Sequence, residues 1–294
     1  MIKSRIFFLT LYIYKMSFSL VLNESNLVNI NNKSQFEYKF RSGNFKAENL
    51  EMCLSQAVVP YSWFNVSSLL NNKTITFKFN DNVAAVVITL PDGFYTIDDI
   101  NNYLKQQSII NGWYLINGTG DYVYYINIVV NVTYYANQII LNAVPSSLPT
   151  GFTAPANFAG FSASGESPSV SFPAGSLYSL VGFPLGTVIP SVIGNQSILS
   201  TVTPVGSTVN AIIVRCDFIS NNVTAPSDIL TSFSINASFG SNINFNPSFP
   251  TYLPINDGNY SSFRIGLFDE NLNPINAKDG RSLLNLHIKT QNRS

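Results

Sequence analysis

Short runs of alternating or β-branched residues, bounded by Asn, Gly, Asp and Pro, recur along the whole chain and limit its fold more than any other feature. Such runs are typical of β-strands, because successive side chains of a strand point to opposite faces of its sheet. Helical periodicity is scarce, so the sequence predicts an all-β fold. The predicted strands cover residues 34–40, 49–59, 73–80, 82–90, 121–130, 132–141, 208–219, 230–238, 261–269 and 281–289.

The stretch LPDGFYTIDDINNYLKQQ, residues 90–107, departs from this pattern. Its Pro-Asp-Gly sequence at 91–93 favours a turn, since Pro presets φ and Gly tolerates positive φ. Thr96 is then the natural N-cap of a helix, and Asp99 lies three residues on, as in a capping box. The acidic side chain also suits the positive end of the helix dipole. We therefore predict one short helix over about residues 97–107.

The apolar residues of this helix fall on one face. Ile97, Ile100 and Leu104 are spaced by three and four residues, which is the period of an amphipathic helix. About three turns are marginal alone, so packing against a sheet is expected to stabilise the helix. The adjacent carboxylates of Asp98 and Asp99 diverge by about 100° and do not form an acid/base pair. Their expected role is to favour the helix start.

A long stretch in the middle of the chain resists regular structure. Residues 145–179 are rich in Pro, Gly, Ser and Ala, with isolated Phe residues that can still be buried. We expect an ordered excursion or insertion over about residues 146–205.

Charge is unusually sparse. Charged residues make up 11% of the 294 residues and the formal net charge is zero, whereas about a quarter of an average domain is charged. Binding of nucleic acid or anionic lipid by the whole protein is disfavoured, because it needs clustered Lys and Arg. No basic residue occurs between Lys105 and Arg215. Such a surface is either neutral and polar or packed in an assembly.

The first fifteen residues have a basic start and an apolar run that resemble a signal peptide without its cleavage site. The run is too short to span a bilayer, so no membrane span is predicted. The simpler interpretation is a working start at Met16. If the preceding residues are translated, Lys3, Arg5 and Lys15 form a small basic arm that would contact the genome weakly. Residues 1–33 are predicted to be an N-terminal extension.

Signatures of catalysis and metal binding are weak. The single histidine, His287, alternates with apolar residues in a predicted strand, so a catalytic role is not favoured. Cys53 and Cys216 read as buried thiols. The stretch 269–280 begins like a calcium loop but has Pro274 and Gly280 where the loop needs Gly and Glu, and a hairpin loop explains it better. We predict neither an enzyme nor a bound cofactor or metal.

One aromatic cluster has two interpretations. Tyr61, Trp63 and Phe64 gather where a predicted strand ends, in the sequence VVPYSWFNVSS. They are either a corner of the core or, if exposed, an interface anchor of the kind that dominates binding hot spots.

Six segments of the chain, taken in serial order, resemble a known family. They are MSFSLVLNESNLVNINNKSQFEYKF, EMCLSQAVVPYSWFNV, ITLPDGFYTIDDINNYL, LYSLVGFP, NAIIVRCDFIS and the closing FPTYLPINDGNYSSFRIGLFDENLNPI with LLNLHIK. Together they cover most of residues 16–290, and the match is thinnest over about 146–205. The chain resembles the penton, or minor capsid, proteins of polinton-like elements, adintoviruses and virophages, which are double-stranded DNA viruses.

The resemblance implies a single jelly roll over residues 34–294 that forms homopentamers at the vertices of an icosahedral capsid. The implied partners are further copies of the chain and a double-jelly-roll major capsid protein, and the implied location is the virion, assembled inside the host cell. A trimeric cement or other minor capsid component is a second possibility. A secreted glycan-binding β-sandwich is the alternative from another class, because jelly rolls also serve lectins.

Overall fold

The computed structural model describes residues 16–28 and 33–291. The chain forms two compact units. Unit 1 combines Met1–Trp63 with Val209–Ser294, and unit 2 is the continuous segment Phe64–Thr208 inserted between those two parts. The predicted basic arm, with Lys3, Arg5 and Lys15, lies outside the described residues.

Unit 1 contains a five-stranded and a four-stranded antiparallel sheet, with strands numbered in chain order. The first sheet has the order β1 (Ser17–Leu22), β20 (Leu283–Thr290), β4 (Leu50–Pro60) and β16 (Asn242–Phe245), with the short β17 (Leu253–Pro254) also paired to β4. The second has the order β15 (Ile229–Ser234), β14 (Ala211–Cys216), β19 (Ser262–Phe268) and β2 (Gln35–Lys39). A small ribbon pairs β3 (Phe45–Ala47) with β18 (Gly258–Tyr260), and a 3-10 turn spans Glu24–Asn26.

The chain alternates between these two sheets in the manner of a jelly roll. It passes from β1 to β2, back to β4, on to β14 and β15, back to β16, and finally through β19 to β20. Each sheet therefore interleaves the first and last strands of the sandwich, which is the double Greek key of a jelly roll. The predicted all-β class and jelly-roll fold are confirmed. Unit 2 is inserted between β4 and β14.

Alternation of buried and exposed residues places a common core between the two sheets. In β20, Leu284, Leu286 and Ile288 are fully buried while the residues between them are only partly covered. Strand β14 alternates in the same way. Sheets that pack face to face interleave their inward side chains in this manner, so burial of alternate residues specifies both strand register and sandwich.

Unit 2 has its own sheets and core. One sheet has the order β12 (Val188–Ile189), β11 (Ser169–Ser171), β5 (Thr74–Lys78) and β6 (Val86–Thr89); another has the order β13 (Gln196–Leu199), β10 (Ala136–Leu141) and β9 (Ile126–Asn131). A hairpin joins β7 (Tyr114–Ile116) to β8 (Tyr122–Tyr124), and the two helices are α1 (Ile97–Asn111) and α2 (Tyr178–Val181). Buried residues from both sheets and both helices form one apolar cluster.

Helix α1 begins and ends at specific caps. Thr96 is the N-cap: its Oγ1 accepts a hydrogen bond from the Asp99 N–H, and the Asp99 carboxylate accepts from the Thr96 N–H at 2.9 Å. Gly112 ends the helix in the left-handed region at φ +69, and a Cβ there would lie 1.9 Å from the backbone oxygen of Asn157. The helix therefore runs four residues past the predicted end, until this glycine stops it.

The domain boundaries of the structure differ from those expected. Residues 17–22, placed in the N-terminal extension by the sequence, form strand β1 and pair with β20. The segment 146–205, expected as an excursion or insertion in the jelly-roll domain, lies within the inserted unit 2, which begins earlier, at Phe64. Strand-like runs occur on both sides of these boundaries, so hydrophobic pattern does not separate one unit from the other.

Candidate functional site

A largely apolar recess of about 390 Å³ opens on the surface of unit 2. Four segments far apart in sequence form its walls: the entry to α1, the hairpin of β9 and β10, helix α2, and the loop before residue 207. The lining residues are Phe94, Tyr95, Thr96, Ile97, Val130, Asn131, Val132, Tyr135, Ala136, Asn137, Leu180, Pro204 and Gly206.

The buried amide of Asn65 holds two of these walls together. Its Nδ2 donates to the carbonyl oxygens of Tyr95 at 2.8 Å and of Gly206 at 2.9 Å, while its Oδ1 accepts from the Tyr95 N–H. Asn65 is 1% exposed, so these bonds form away from water. A single side chain therefore fixes the spacing between the entry to α1 and the loop opposite it.

A second buried amide joins the remaining walls. The Nδ2 of Asn137, in β10, donates to the carbonyl oxygens of Leu180 and Val181 in α2. Gly182 then turns the chain at φ +81, and a Cβ at this position would lie 2.5 Å from the carbonyl oxygen of Val202. The glycine lets the loop that ends the recess pass close to α2, and the Val202 N–H donates to the Gly182 carbonyl.

Most polar side chains of the lining donate to protein acceptors, and the Tyr135 hydroxyl lies on a side chain that is largely in solvent. The Tyr95 hydroxyl donates to the Pro91 carbonyl, the Thr96 hydroxyl donates to Asp99 Oδ2, and the Asn131 amide donates to Gln138. Among the residues that the structure describes, no acidic or basic side chain lines the recess. What remains to contact an occupant is mainly aromatic and aliphatic surface.

Exposed apolar side chains continue outward from the rim at the tip of the β9–β10 hairpin. Val132 is 83% exposed and Tyr135 77% exposed, and Val130 and Tyr134 are also largely in solvent. Tyr135 adopts a positive φ of 49, which is uncommon for a bulky residue. An apolar rim of this kind marks an interaction surface.

The residues predicted to cap and pack the helix lie in two different places in unit 2. Ile100 and Leu104 are buried in the core of unit 2 with the aromatic and aliphatic residues of its sheets. Thr96 and Ile97 lie at the recess instead. Asp99 is not among the lining residues; its carboxylate accepts from the Thr96 hydroxyl and backbone N–H, and these hydrogen bonds lower its pKa below its ordinary value.

The predicted aromatic cluster is divided between the two units. Tyr61 and Trp63 belong to unit 1 and are buried, with ring centroids 4.5 Å apart. Phe64 is the first residue of unit 2 and is half-buried. The geometry of the first two is that of a core corner.

The histidine belongs to a polar ladder on the outer face of the first sheet of unit 1. His287 contacts the Ser17 hydroxyl at 2.9 Å through Nε2 and the Tyr252 hydroxyl at 2.7 Å through Nδ1. Cys53 lies opposite His287 in the register of β4 and β20, and burial raises the pKa of its thiol. These residues connect β1, β20 and β4. A thiol with a raised pKa stays protonated and is therefore a poor nucleophile.

The calcium-like loop forms an internally bonded turn. Asp269 Oδ1 accepts the backbone N–H groups of Asn271 and Asn273, and Asp269 Oδ2 accepts the Asn273 amide. Across residues 16–28 and 33–291, no group of three or more His, Cys, Asp and Glu side chains is arranged to hold a metal ion. Within the same residues, no helix combines the length and apolar character needed to cross a membrane.

Sequence reasoning missed the recess and the two amides that fix it. Asn65 and Asn137 are two of 36 asparagines, and nothing adjacent to them in sequence distinguishes a buried amide from an exposed one. The sequence carries only a weak signal for these two residues. Asn65 lies within an otherwise apolar run, and Asn137 is a polar residue that interrupts the apolar pattern of a predicted strand.

Comparisons with known proteins give matches among solved structures only. No protein-family model matches the chain, and no curated protein matches it. The mavirus penton protein, in its selenomethionine-labelled crystal form, is similar with 11% identity and a TM-score of 0.45, over 94% of this chain and 98% of that chain. A chain of the Sputnik virophage determined by cryo-EM is similar with 10% identity and a TM-score of 0.38, over 94% and 97%.

Proposed function

We propose that this chain is a structural protein of a virion, and specifically the penton of an icosahedral capsid. The observation that carries the proposal is the jelly-roll strand order of unit 1. Capsid subunits use this double sheet widely, because it protects strand edges while leaving the connecting loops free to meet neighbours. The serial sequence resemblance over residues 16–290 supports the same class.

The exposed apolar surface supports an assembled state. In unit 1, Val223 is 94% exposed and Phe249 is 91% exposed. In unit 2, Val132 is 83% exposed. Apolar side chains exposed singly are normal on protein surfaces, whereas a contiguous set such as Val130, Val132, Tyr134 and Tyr135 is typical of a surface that another molecule covers. Burial of such residues at about 25 cal/mol per Å² would drive association of subunits.

The proposed assembly is a homopentamer at a capsid vertex. A ring of five identical chains needs one surface that meets a different surface on the next copy, with a rotation that closes. The outer contacts of the ring would be made with a major capsid protein, and the virion would be assembled inside the host cell. Any contact of Lys3, Arg5 and Lys15 with the genome would be a weak electrostatic addition.

Size-exclusion chromatography with light scattering tests the stoichiometry. A pentamer has about five times the 32.4 kDa mass of one chain, and negative-stain images would show fivefold rings. Mixing with the major capsid protein of the same virus should then place the rings at the vertices. A chain that stays monomeric at all concentrations and never enters particles would exclude the penton role.

A glycan-binding role is the second candidate, and a tyrosine cluster favours it. The rings of Tyr114 and Tyr122 lie 4.8 Å apart on the β7–β8 hairpin, with Tyr124 beside them. Tyr122 is about half exposed. Aromatic faces of this kind can stack on sugar rings. Binding on a glycan array that Tyr122→Ala abolishes, in a chain that never assembles, would favour this role over the penton.

A further inference from the structure

We propose that the recess of unit 2 is a binding site for an uncharged, aliphatic small molecule such as a medium-length alkyl chain. A ligand site goes beyond the assembly role, but its rim residue Val132 is also part of the exposed surface proposed for assembly, so the assembled state is one of the tests. Four observations on the same set of residues lead to this class of ligand: the uncharged lining, the protein partners of most of its polar side chains, its preformed walls, and its volume.

The lining excludes a charged ligand. Within residues 16–28 and 33–291, none of the lining side chains is acidic or basic, so a buried carboxylate or ammonium would lose hydration without gaining a counter-charge. The start of α1 is the one feature that could attract an anion. The Asp99 carboxylate already lies at this helix start, where it accepts from the Thr96 N–H at 2.9 Å and from the Thr96 hydroxyl at 2.7 Å. A second anion would meet this negative charge.

The lining also disfavours a ligand with many hydroxyl groups. The side-chain donors of Tyr95, Thr96, Asn131 and Asn137 are each committed to a protein acceptor, which leaves the exposed Tyr135 hydroxyl at the rim as the remaining side-chain donor. A sugar in this recess would leave most of its hydroxyl groups unpaired, at a cost of about 1 to 3 kcal/mol for each buried group. An alkyl chain makes no such demand and would contact Ile97, Val130, Leu180 and the aromatic rings.

The recess is preformed and large enough. The buried side-chain amides of Asn65 and Asn137 hold its walls through hydrogen bonds, so binding a ligand requires little further ordering of the protein. Its volume of about 390 Å³ lies within the range of small-molecule sites. The exposed rim residues Val132 and Tyr135 would cover the end of a chain that projects from the recess.

Two ligands that differ in charge provide the test. 1-Decanol and decanoate have the same alkyl chain, and their binding to the full-length protein is measured by calorimetry and by the thermal shift of unfolding. We expect saturable binding of one decanol per chain and binding of decanoate weaker by about tenfold or more, because the carboxylate would be desolvated without a partner. Equal affinities, or no saturable decanol binding, would overturn the proposal.

A recess-filling variant localises the binding. A Cβ at Gly206 meets no atom within 4 Å, and this glycine is free of a positive φ, so Gly206→Phe adds a ring in the recess without a clash of its Cβ. We expect it to weaken decanol binding at least tenfold. Leu69→Phe is the control, since Leu69 is exposed in the same unit and outside the lining. Decanol affinity unchanged by Gly206→Phe would place the ligand elsewhere.

A rim variant provides a second test that does not depend on filling the recess. Val132 is mostly in solvent, so Val132→Asp should fold normally and weaken decanol binding by placing a charge beside the alkyl chain. The assembled protein gives the remaining outcome. If assembly abolishes decanol binding while single chains retain it, a second copy covers the recess in the particle and the small-molecule proposal fails.

Discussion

Buried asparagines replace missing backbone partners at several points in this molecule. The Asn65 side chain hydrogen-bonds to two loops, Asn137 hydrogen-bonds from a strand to a helix, and Asn101 hydrogen-bonds to the backbone of Ile128. Each side-chain amide offers both a donor and an acceptor, as a peptide group does. A chain rich in asparagine can therefore satisfy irregular backbone where a regular sheet ladder ends.

Asn101 illustrates this at the free edge of β9, and its replacement should be costly. Its Oδ1 accepts from the Ile128 N–H at 2.8 Å and its Nδ2 donates to the Ile128 carbonyl. Asn101→Leu leaves both backbone groups buried without partners, so we expect a loss of about 2 to 4 kcal/mol in the free energy of unfolding. Urea denaturation measures it, and exposed Asn102→Leu is the control, which should change little. Equal losses in the two variants would refute the role of Asn101.

The capping carboxylate predicts a specific dependence on pH. Hydrogen bonds from Thr96 lower the pKa of Asp99, so its contribution to stability is present above its unfolded pKa of about 3.9 and is lost as the pH falls through the lower folded value. Asp99→Asn removes this titration. The melting temperature of the wild type should exceed that of the variant at neutral pH and converge with it in acid. A difference that stays constant with pH would contradict the prediction.

Among the elements, strand length decided what the sequence could reveal. All ten predicted strand regions contain strands of the structure, because long alternating runs carry a strong period-two signal. Some short strands, such as Phe45–Ala47 and Val188–Ile189, were missed because they are too short to show any period, and the six-residue Ser17–Leu22 was missed because it was assigned to the N-terminal extension. Their positions depend on the partner strands that pair with them, which local sequence does not specify.

Helix α1 is the element whose packing can be tested most directly. Ile100 is fully buried in the core of unit 2, whereas Asp98 is exposed on the opposite side of the first turn. Ile100→Asp would bury a carboxylate among apolar side chains, and we expect it to abolish folding of the helix and its surroundings. Asp98→Asn should do little. Circular dichroism and thermal melts compare them, and equal tolerance of both would show that the helix is not packed in this core.

The recess could not be predicted from these elements. Its walls come from residues near 95, 131, 180 and 205, and no pattern along the chain relates four such segments. The capping residues of α1 were accessible to sequence reasoning because a capping box is local. The placement of Thr96 and Ile97 at the recess was not, because it depends on tertiary contacts that bring distant loops together.

For the whole molecule, two separate cores predict two separable unfolding events. Units 1 and 2 each enclose their own buried cluster, and residues within such a unit open together. In Ile100→Asp, amide protection should be lost throughout residues 64–208 and retained in the jelly-roll strands. Hydrogen exchange with mass spectrometry resolves the two regions. Loss of protection in both at the same rate would show that the molecule unfolds as one cooperative body.

The position of unit 2 in the chain has a genetic consequence. The polypeptide leaves the jelly roll once, after Trp63, and returns once, at Val209. The coding sequence of the whole unit is therefore a single uninterrupted block, flanked by the codons for β4 and β14. Recombination with two breakpoints would exchange this block between related genomes without altering any strand of the sandwich. The two parts of the gene can thus have different ancestries, and a phylogeny built from residues 64–208 should be compared with one built from the remainder.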